Sequence, residues 1–382
     1  MNVLYLTDNP NLGGTVRILQ SWLPLARERG IVPRVAVRPG SLFAGWLSDH
    51  GFEHVSNPMP WPNRRAPWVS LWHAGRLAAW ARRRRVQILH CNEHNIYPFA
   101  TLLRRLMRVP LVCHVRYRVT RDFSTWAFGP PSRQPDALLW TSQQQRLDSA
   151  AAVEGVVPDD RQRILPLGID LDRFGRRTET RAETRASWGA GEAAIVVGQA
   201  TALRPRKRIQ DFVEIVECLA REDSRVMGAL AGDAPPGDEE YRDAMARKIR
   251  DTGLGPRFHW AGNVDDVEPF YQALDVFVST SEYETFGNSV CEAMACGVPV
   301  AAYRGGSVGE VVGDSGLIVD TGDRDALLGA VRRLATDASL RGELGERGRS
   351  RVASEFNPAR SLTELVDIYR VLLKGDELTG RP

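Results

Sequence analysis

Residues 281–300 read Ser281-Glu-Tyr-Glu284-Thr-Phe286-Gly287-Asn288-Ser289-Val-Cys-Glu292-Ala-Met-Ala-Cys-Gly297-Val-Pro-Val300, and this stretch decides the fold. A short run of β-branched and aromatic residues, 276–279, stops just before it, and another, 298–303, closes it. Residues 288–296 between them have helical composition. Strand, loop, helix and strand in that order make one repeat of a parallel α/β sheet. Gly287-Asn288-Ser289 opens the helix, whose first N–H groups have no intrahelical acceptor and suit phosphate oxygens. Glu284 lies in the loop before the helix, and Glu292 about one turn inside it. Two carboxylates flanking an anion site suit hydroxyl-rich groups such as a ribose and a sugar, because carboxylate oxygens accept hydrogen bonds from both.

The same alternation extends in both directions. Toward the N-terminus, strands are expected at 2–7, 32–38, 86–92, 111–116 and 136–142, with helices near 19–29, 71–85, 97–107 and 143–153. Toward the C-terminus, strands are expected at 193–198, 226–231, 258–261, 276–279, 298–303 and 316–320. Helices near 208–221, 238–251, 288–296, 323–335 and 339–353 separate these, and 362–373 has helical period. Residues 169–190, rich in Arg, Glu and Thr, read as a linker. The expectation is an α/β chain of two Rossmann-like domains, 1–168 and 191–356, with about 357–376 packing back on the first. In such sheets ligands collect outside the carboxyl ends of the strands, and the cleft between two domains is the expected active site.

Composition narrows the class. The 382 residues include 50 basic ones, of which only Lys207, Lys248 and Lys374 are lysines, against 47 acids, for a net charge of +3. The charge is unevenly placed: residues 1–168 carry +11 and residues 169–382 carry −8. Opposite signs in the two halves suggest different partners for the two domains. No apolar run reaches the ~18–20 residues of a membrane span. The N-terminus enters a strand without a charged leader, so no signal peptide is expected. Cys91, Cys113, Cys218, Cys291 and Cys296 form no C-x-x-C pair and are odd in number. They read as reduced cysteines of a cytosolic protein.

Residues 281–300 follow the pattern S-x-x-E-x-F-G-x-x-x-x-E-A-M-A-x-G-x-P-V, which resembles the donor-site signature of retaining GT-B glycosyltransferases, in particular glycosyltransferase family 4. The likeness runs through nearly the whole chain. Gly13-Gly14 after the first strand is similar to the family's glycine-rich turn. Residues 164–174 (ILPLGIDLDRF) are similar to its domain connection. Residues 258–262 (FHWAG) and 271–279 (YQALDVFVS) are similar to its second-domain framework, and 306–312 and 315–319 are similar to its final donor-side loop.

The resemblance implies roles residue by residue. Glu284 contacts hydroxyls of the donor sugar, helped by the backbone N–H groups of Phe286 and Gly287. Asn288 and Ser289 lie at the diphosphate, and Glu292 binds the ribose. Gly13 and Gly14 belong to the same donor site. Lys207 is the diphosphate lysine, a compact cation that offsets the charge of the leaving group. The chain departs from the pattern at Ala202, where the family has an arginine. Arg204 or Arg206 is the substitute on offer. Gly305-Gly306 lies one residue further from Glu310 than is usual.

His114 ends a strand at the carboxyl side, where the family places a histidine facing sugar and acceptor, so Lys207, Glu284 and His114 are the catalytic candidates. His90 and His94 are acceptor candidates. His90, Glu93 and His94 could by type ligate a metal, but enzymes of the resembled family need none. Asp170-Leu-Asp172 and Asp323-Arg-Asp325 read as local caps and turns. Residues 57–85 combine Trp61, Trp68, Trp72 and Trp80 with Arg64, Arg65, Arg76 and 82–85. Two readings stand side by side here: an aromatic core stripe with a solvated basic end, or a cationic-aromatic surface for an anionic membrane. Nothing in the sequence reads nucleic acid. The long aromatic-basic segment 117–135 is assigned to the acceptor.

The expected activity is retaining, metal-independent transfer of a sugar from a nucleoside diphosphate, UDP ahead of GDP, to an acceptor hydroxyl in glycan, polysaccharide or glycolipid assembly. The nucleotide sugar is a substrate, and no cofactor is expected. The acceptor is a glycan, lipid-linked or anionic, and the enzyme is cytoplasmic, peripheral on the inner membrane face. A sugar-nucleotide 2-epimerase of the same fold and a catalytically silent sugar-nucleotide-binding subunit are the alternatives.

Overall fold

Short runs of Val, Ile, Leu and Ala carry the first sheet, and their side chains are almost all buried, as parallel strands covered on both faces require. The strands are β1 (Asn2–Thr7), β2 (Val32–Val37), β3 (His54–Ser56), β4 (Ile88–Cys91), β5 (Leu111–His114), β6 (Ala137–Trp140) and β7 (Gln162–Ile164). All pairings are parallel, in the order β3-β2-β1-β4-β5-β6-β7. The second sheet contains β8 (Ile195–Ala200), β9 (Val226–Ala231), β10 (Phe258–Gly262), β11 (Val276–Ser279), β12 (Val300–Tyr303) and β13 (Gly316–Val319). It is also parallel, in the order β10-β9-β8-β11-β12-β13. The computed structural model describes residues 1–11, 13–175, 177–376 and 378.

The chain divides into two compact units, Met1–Gly168 with Pro358–Pro382, and Ile169–Asn357. The last helix, Pro358–Lys374, thus belongs with the first sheet. It buries Leu362, Leu365, Val366 and Tyr369 at helical spacing, and the Tyr369 hydroxyl lies 2.6 Å from Nδ1 of His90 in β4. In the second unit, helix Ile209–Glu222 buries Ile209, Phe212, Val213, Val216 and Leu219 on one face.

Two expectations are corrected. The stretch 169–190 is no bare linker: Thr178–Ser187 is helical and belongs to the second unit. Its arginines hold it there. Arg181 and Arg185 reach opposite oxygens of Asp275 at 2.6 and 2.9 Å, and Arg181 also donates to the carbonyls of Gln272 and Leu274. Polar composition suggested solvent, whereas the guanidinium forks satisfy carboxylate and carbonyl groups at the start of β11. Segment 117–135, for which no helix is expected from the sequence, contains helix Arg121–Phe128. Thr120 caps its first turn, accepting from the Phe123 N–H at 3.3 Å.

Candidate functional site

In the second sheet the strand order reverses between β8 and β11, the switch point at which doubly wound sheets bind ligands. The loops leaving these two strands carry Lys207 and Glu284. Lys207 ends a 3₁₀ turn, Pro205–Lys207, and is buried. The loops are latched together. The Thr280 hydroxyl donates to the Lys207 carbonyl at 2.7 Å, the Glu282 N–H to the Arg206 carbonyl at 2.9 Å, and Arg206 Nη1 to the Tyr283 carbonyl at 3.0 Å. Within that frame the Lys207 ammonium donates to a Glu284 carboxylate oxygen.

The electrostatics of the pair follow from its enclosure. Burial pushes the Glu284 carboxyl up, but the Lys207 charge and hydrogen bond, with Ser281 and Arg206, hold it below the usual range. Burial depresses Lys207 most, Glu284 opposes this, and Arg206 and Arg204 add to the depression. The arrangement is an ionised carboxylate holding a destabilised ammonium, and an incoming anion can take over that ammonium.

Gly287 stands at φ 97°, a conformation that favours glycine, and starts helix Asn288–Ala295. The N–H groups of Val290 and Cys291 turn onto the Gly287 carbonyl at 3.0 and 3.1 Å, and among the described residues no side chain caps the helix start. Phe286 is buried with its ring 5.3 Å from that of Phe356, so only its backbone is available to a ligand. Asn288 Oδ1 is enclosed and has no hydrogen-bond partner among the described residues, and Ser289 is half-buried. Glu292 is buried and accepts from the Tyr271 hydroxyl at 2.7 Å. Tyr271 was not singled out in the sequence, where it stands only as part of the Tyr-x-x-Leu-Asp pattern.

Neither arginine near Ala202 hydrogen-bonds to the pair itself. Arg204 lies 3.6 Å from Asp238, and Arg206 holds the Tyr283 carbonyl. The displaced glycine pair acquires a physical reason. Gly306 bridges Glu284 in parallel register, and the Glu284 N–H donates to the Gly305 carbonyl at 3.2 Å. A Cβ on Gly305 would lie 2.2 Å from the Ser281 carbonyl oxygen, and one on Gly306 2.4 Å from that of Glu284. Ser307 completes the clasp, its hydroxyl donating to the Thr285 carbonyl at 2.8 Å. These residues support the backbone of the Glu284 loop.

In the first sheet the strand order reverses between β1 and β4. Gly13 precedes helix Gly14–Glu28 in an extended conformation, φ −73°, that any residue adopts. Asn9 and Asn92 tie the helix start by hydrogen bonds to the Thr15 hydroxyl and carbonyl. His114, at the end of β5, and His90, in β4, are fully buried with ring centroids 5.9 Å apart. Burial, aided by the charge of Arg116, holds both neutral: His90 falls to about 3, and His114 well below its ordinary value. His94 sits in the turn His94–Ile96 after β4, pushed down to about 4 by burial, and its Nδ1 accepts from the Arg116 N–H at 3.4 Å. The sequence did not point to Arg116. It is buried, donates to Asn92 from Nε and Nη2, and is lowered by burial to about 9. Among the described residues no group of three or more His, Cys, Asp or Glu is placed to hold a metal ion.

Helix Pro67–Arg83 settles the tryptophan stripe. Trp68 and Trp72 are 65% and 62% exposed, and Leu71 is 50% exposed, so they are not core. Asp170 and Asp323 serve as local caps, accepting from backbone N–H groups at 2.9–3.1 Å. All five cysteines are free thiols. Among the described residues no helix is long and apolar enough to cross a membrane.

Comparison with known proteins bears on the same elements. Residues 180–351 match the model of glycosyl transferases group 1, and residues 13–174 match that of a glycosyl transferase 4-like domain. Lipopolysaccharide core biosynthesis glycosyltransferase LpsE of Rhizobium meliloti is 37% identical over 164 residues, 42% of this chain and 45% of that protein. The chain spans about half the length of several curated relatives it matches. A GDP-mannose-dependent alpha-(1-6)-phosphatidylinositol monomannoside mannosyltransferase of Mycolicibacterium smegmatis is 30% identical over 331 residues, 83% of this chain and 75% of the relative. Among solved structures, Anabaena HepE in complex with UDP-glucose superposes with a TM-score of 0.83 at 20% identity, covering 96% of this chain and 98% of HepE, which supports the GT-B fold. With both halves matched in order and that identity carried across three quarters of the mannosyltransferase, the chain belongs to the glycosyl transferases group 1 family, glycosyltransferase family 4.

Proposed function

We propose that this protein moves a sugar from a nucleoside diphosphate to an acceptor hydroxyl, with retention and without a metal, in the assembly of a glycan, polysaccharide or glycolipid. The observation that carries the reading is the Lys207–Glu284 ion pair at the switch point of the second sheet, in the unit that also contains an uncapped helix start and buried Glu292. On donor binding, the diphosphate takes the Lys207 ammonium and the first N–H groups of helix Asn288–Ala295. Glu284 is then released to the sugar hydroxyls, and Glu292, oriented by Tyr271, accepts from the ribose. The bond between the anomeric carbon and the diphosphate oxygen breaks as the acceptor oxygen bonds to the same face of that carbon. The acceptor proton passes to the leaving diphosphate, so no separate base is needed. Lys207 stabilises the charge that grows on the leaving group.

UDP is the proposed nucleotide, ahead of GDP, supported by the UDP-glucose complex of HepE, although the mycobacterial relative is named for GDP-mannose. The second unit is the proposed donor domain. The +11 first unit is the proposed acceptor domain, for an acceptor that is anionic or lipid-linked. We also propose a cytoplasmic enzyme held at the inner membrane face through Trp68, Leu71 and Trp72, which stand beside exposed Arg64 and Arg65. Calorimetric titration with UDP and GDP, followed by acceptor-dependent release of UDP from a panel of UDP-sugars, tests the core of the reading. UDP binding that disappears in Lys207→Ala is the expected result, and UDP binding unchanged in Lys207→Ala and Glu284→Ala would overturn it.

A further inference from the structure

Beside His94, at the carboxyl ends of β4 and β5, five rings meet in a chain. Trp61 and Trp126 are 52% and 40% exposed, with centroids 5.2 Å apart and planes tilted by 33°. Phe123, half-buried, lies 6.3 Å from Trp61, 6.1 Å from Trp126 and 5.2 Å from the His94 ring. Tyr117, also exposed, stands 5.9 Å from His94. The Trp61 indole N–H donates to the Asn95 carbonyl at 2.6 Å. That bond fixes the ring and leaves carbon surface, rather than a polar edge, for the exterior.

We propose that this platform is a subsite for a pyranose ring of the acceptor, with the sugar's C–H face stacked on Trp61 and Trp126 and a hydroxyl hydrogen-bonded by Nε2 of His94. The inference rests on the transferase reading above for the word acceptor, but its geometry belongs to the first unit alone. The axial C–H bonds of a pyranose are weakly positive, and an indole face is negative, so the two attract beyond simple area burial. His94 supplies the polar half. Its Nδ1 accepts from the Arg116 backbone N–H, which places the proton of the neutral ring on Nε2. Nε2 donates to no group among the described residues. A rigid aromatic face beside one unused donor is what a sugar presents a complement to.

A lipid surface fits this platform less well. Side chains that enter a bilayer project freely, as Trp68, Leu71 and Trp72 do on helix Pro67–Arg83. Trp61 and Trp126 are held by a hydrogen bond and by ring contacts.

The test uses the full chain and saturation-transfer NMR with the methyl α-glycosides of glucose, mannose and galactose. Vesicles containing phosphatidylglycerol form a second arm, and UDP calorimetry forms a third. At least one glycoside should receive saturation through its ring C–H protons. The signal should fall about tenfold in Trp126→Ala and in Trp61→Ala/Trp126→Ala, and should be retained in Trp68→Ala. UDP affinity and melting temperature should match the wild type in every variant, which shows that the platform variants are folded. Glycoside signals unchanged by the platform substitutions would overturn the subsite. So would a wild type that binds none of the glycosides, or platform variants that lose only vesicle binding. A wild type that binds glycosides through these rings but does not bind UDP would leave the subsite standing and sink the transferase reading.

Discussion

Lys207 and Glu284 neutralise each other where the second sheet reverses its strand order, each drawn from the loop after one of the two switch-point strands. The pair is mostly enclosed, with side-chain exposures of 9% and 16%. Breaking such a pair leaves one uncompensated charge, at a cost of about 3 kcal/mol, whereas removing both partners together costs less than the sum. Lys207→Ala and Glu284→Ala should therefore each lower the denaturation midpoint, and the double variant should recover part of that loss. A strictly additive double-mutant cycle would show that the two side chains do not act as a pair.

The same pairing separates nucleotide binding from transfer. Glu284→Gln keeps the shape of the side chain but relaxes its hold on the ammonium. UDP should bind somewhat more tightly to this variant, because the diphosphate no longer competes with a carboxylate. Sugar transfer should fall roughly 100-fold, because the amide is a poorer acceptor for the sugar hydroxyls. Calorimetry with UDP set beside a transfer assay reads both effects, and parallel losses in the two would contradict the proposed exchange of partners.

Gly306 tests whether the Glu284 loop needs its clasp. Its φ is +60°, and a Cβ there would meet the Glu284 carbonyl oxygen at 2.4 Å. Gly306→Ala should cost about 1–3 kcal/mol. It should also weaken UDP binding, because the loop that yields is the one carrying Glu284. Gly322→Ala, at φ +88° with no described atom within 4 Å of the added carbon, is the control for strain alone. A UDP affinity as good in Gly306→Ala as in Gly322→Ala would remove the glycine pair from the site.

Acid should undo the first unit through its buried histidines. Burial, with Arg116, lowers His90 to about 3, burial lowers His94 to about 4, and His114 falls well below its ordinary value. The unfolded chain takes up these protons near pH 6.5, while the folded chain refuses them until the pH is far lower. The unfolded state therefore binds more protons in this window, and stability falls as the pH drops from about 6.5 toward 4. The slope is about 1.4 kcal/mol per pH unit for each histidine. Urea denaturation followed between pH 7.5 and 5 should show this decline. His90→Gln should flatten it by about one proton's worth, and an unchanged slope would mean that His90 is solvated when folded.

How much of this was legible in the sequence depended on whether the signal was local. The Glu284–Glu292 stretch was readable because its strand, loop and helix are contiguous, and their hydrophobic runs announce them. Thr178–Ser187 was not, since its order comes from Asp275, some ninety residues away, and a polar stretch without that partner looks like a tether. The role of Gly305 and Gly306 was invisible for the same reason: it lies in the carbonyl oxygens of Ser281 and Glu284, against which the glycines pack. His114 is expected at a strand end and β5 ends on it, but the complete burial of His90 beside Tyr369 depends on a helix drawn from the far end of the chain.

The tryptophan face of helix Pro67–Arg83 yields a prediction that pattern alone left open. Trp68, Leu71 and Trp72 recur at spacings of three and four, and therefore share a face. Their exposures show that this face covers no core, and Arg64 and Arg65 beside it are exposed as well. An apolar face of this kind with cationic neighbours suits the interface of an anionic bilayer, where indole rings sit at headgroup depth and each basic residue adds about 1 kcal/mol at low salt. The two contributions can be separated. Trp68→Ser/Leu71→Ser/Trp72→Ser should abolish flotation with phosphatidylglycerol vesicles, and Arg64→Gln/Arg65→Gln should weaken it in a way that added salt mimics. Both variants should keep the wild-type melting temperature and UDP affinity, since neither set of side chains is buried. Equal flotation on purely zwitterionic vesicles would show that the arginines contribute nothing. Flotation that survives the triple serine variant would move the membrane contact to another surface.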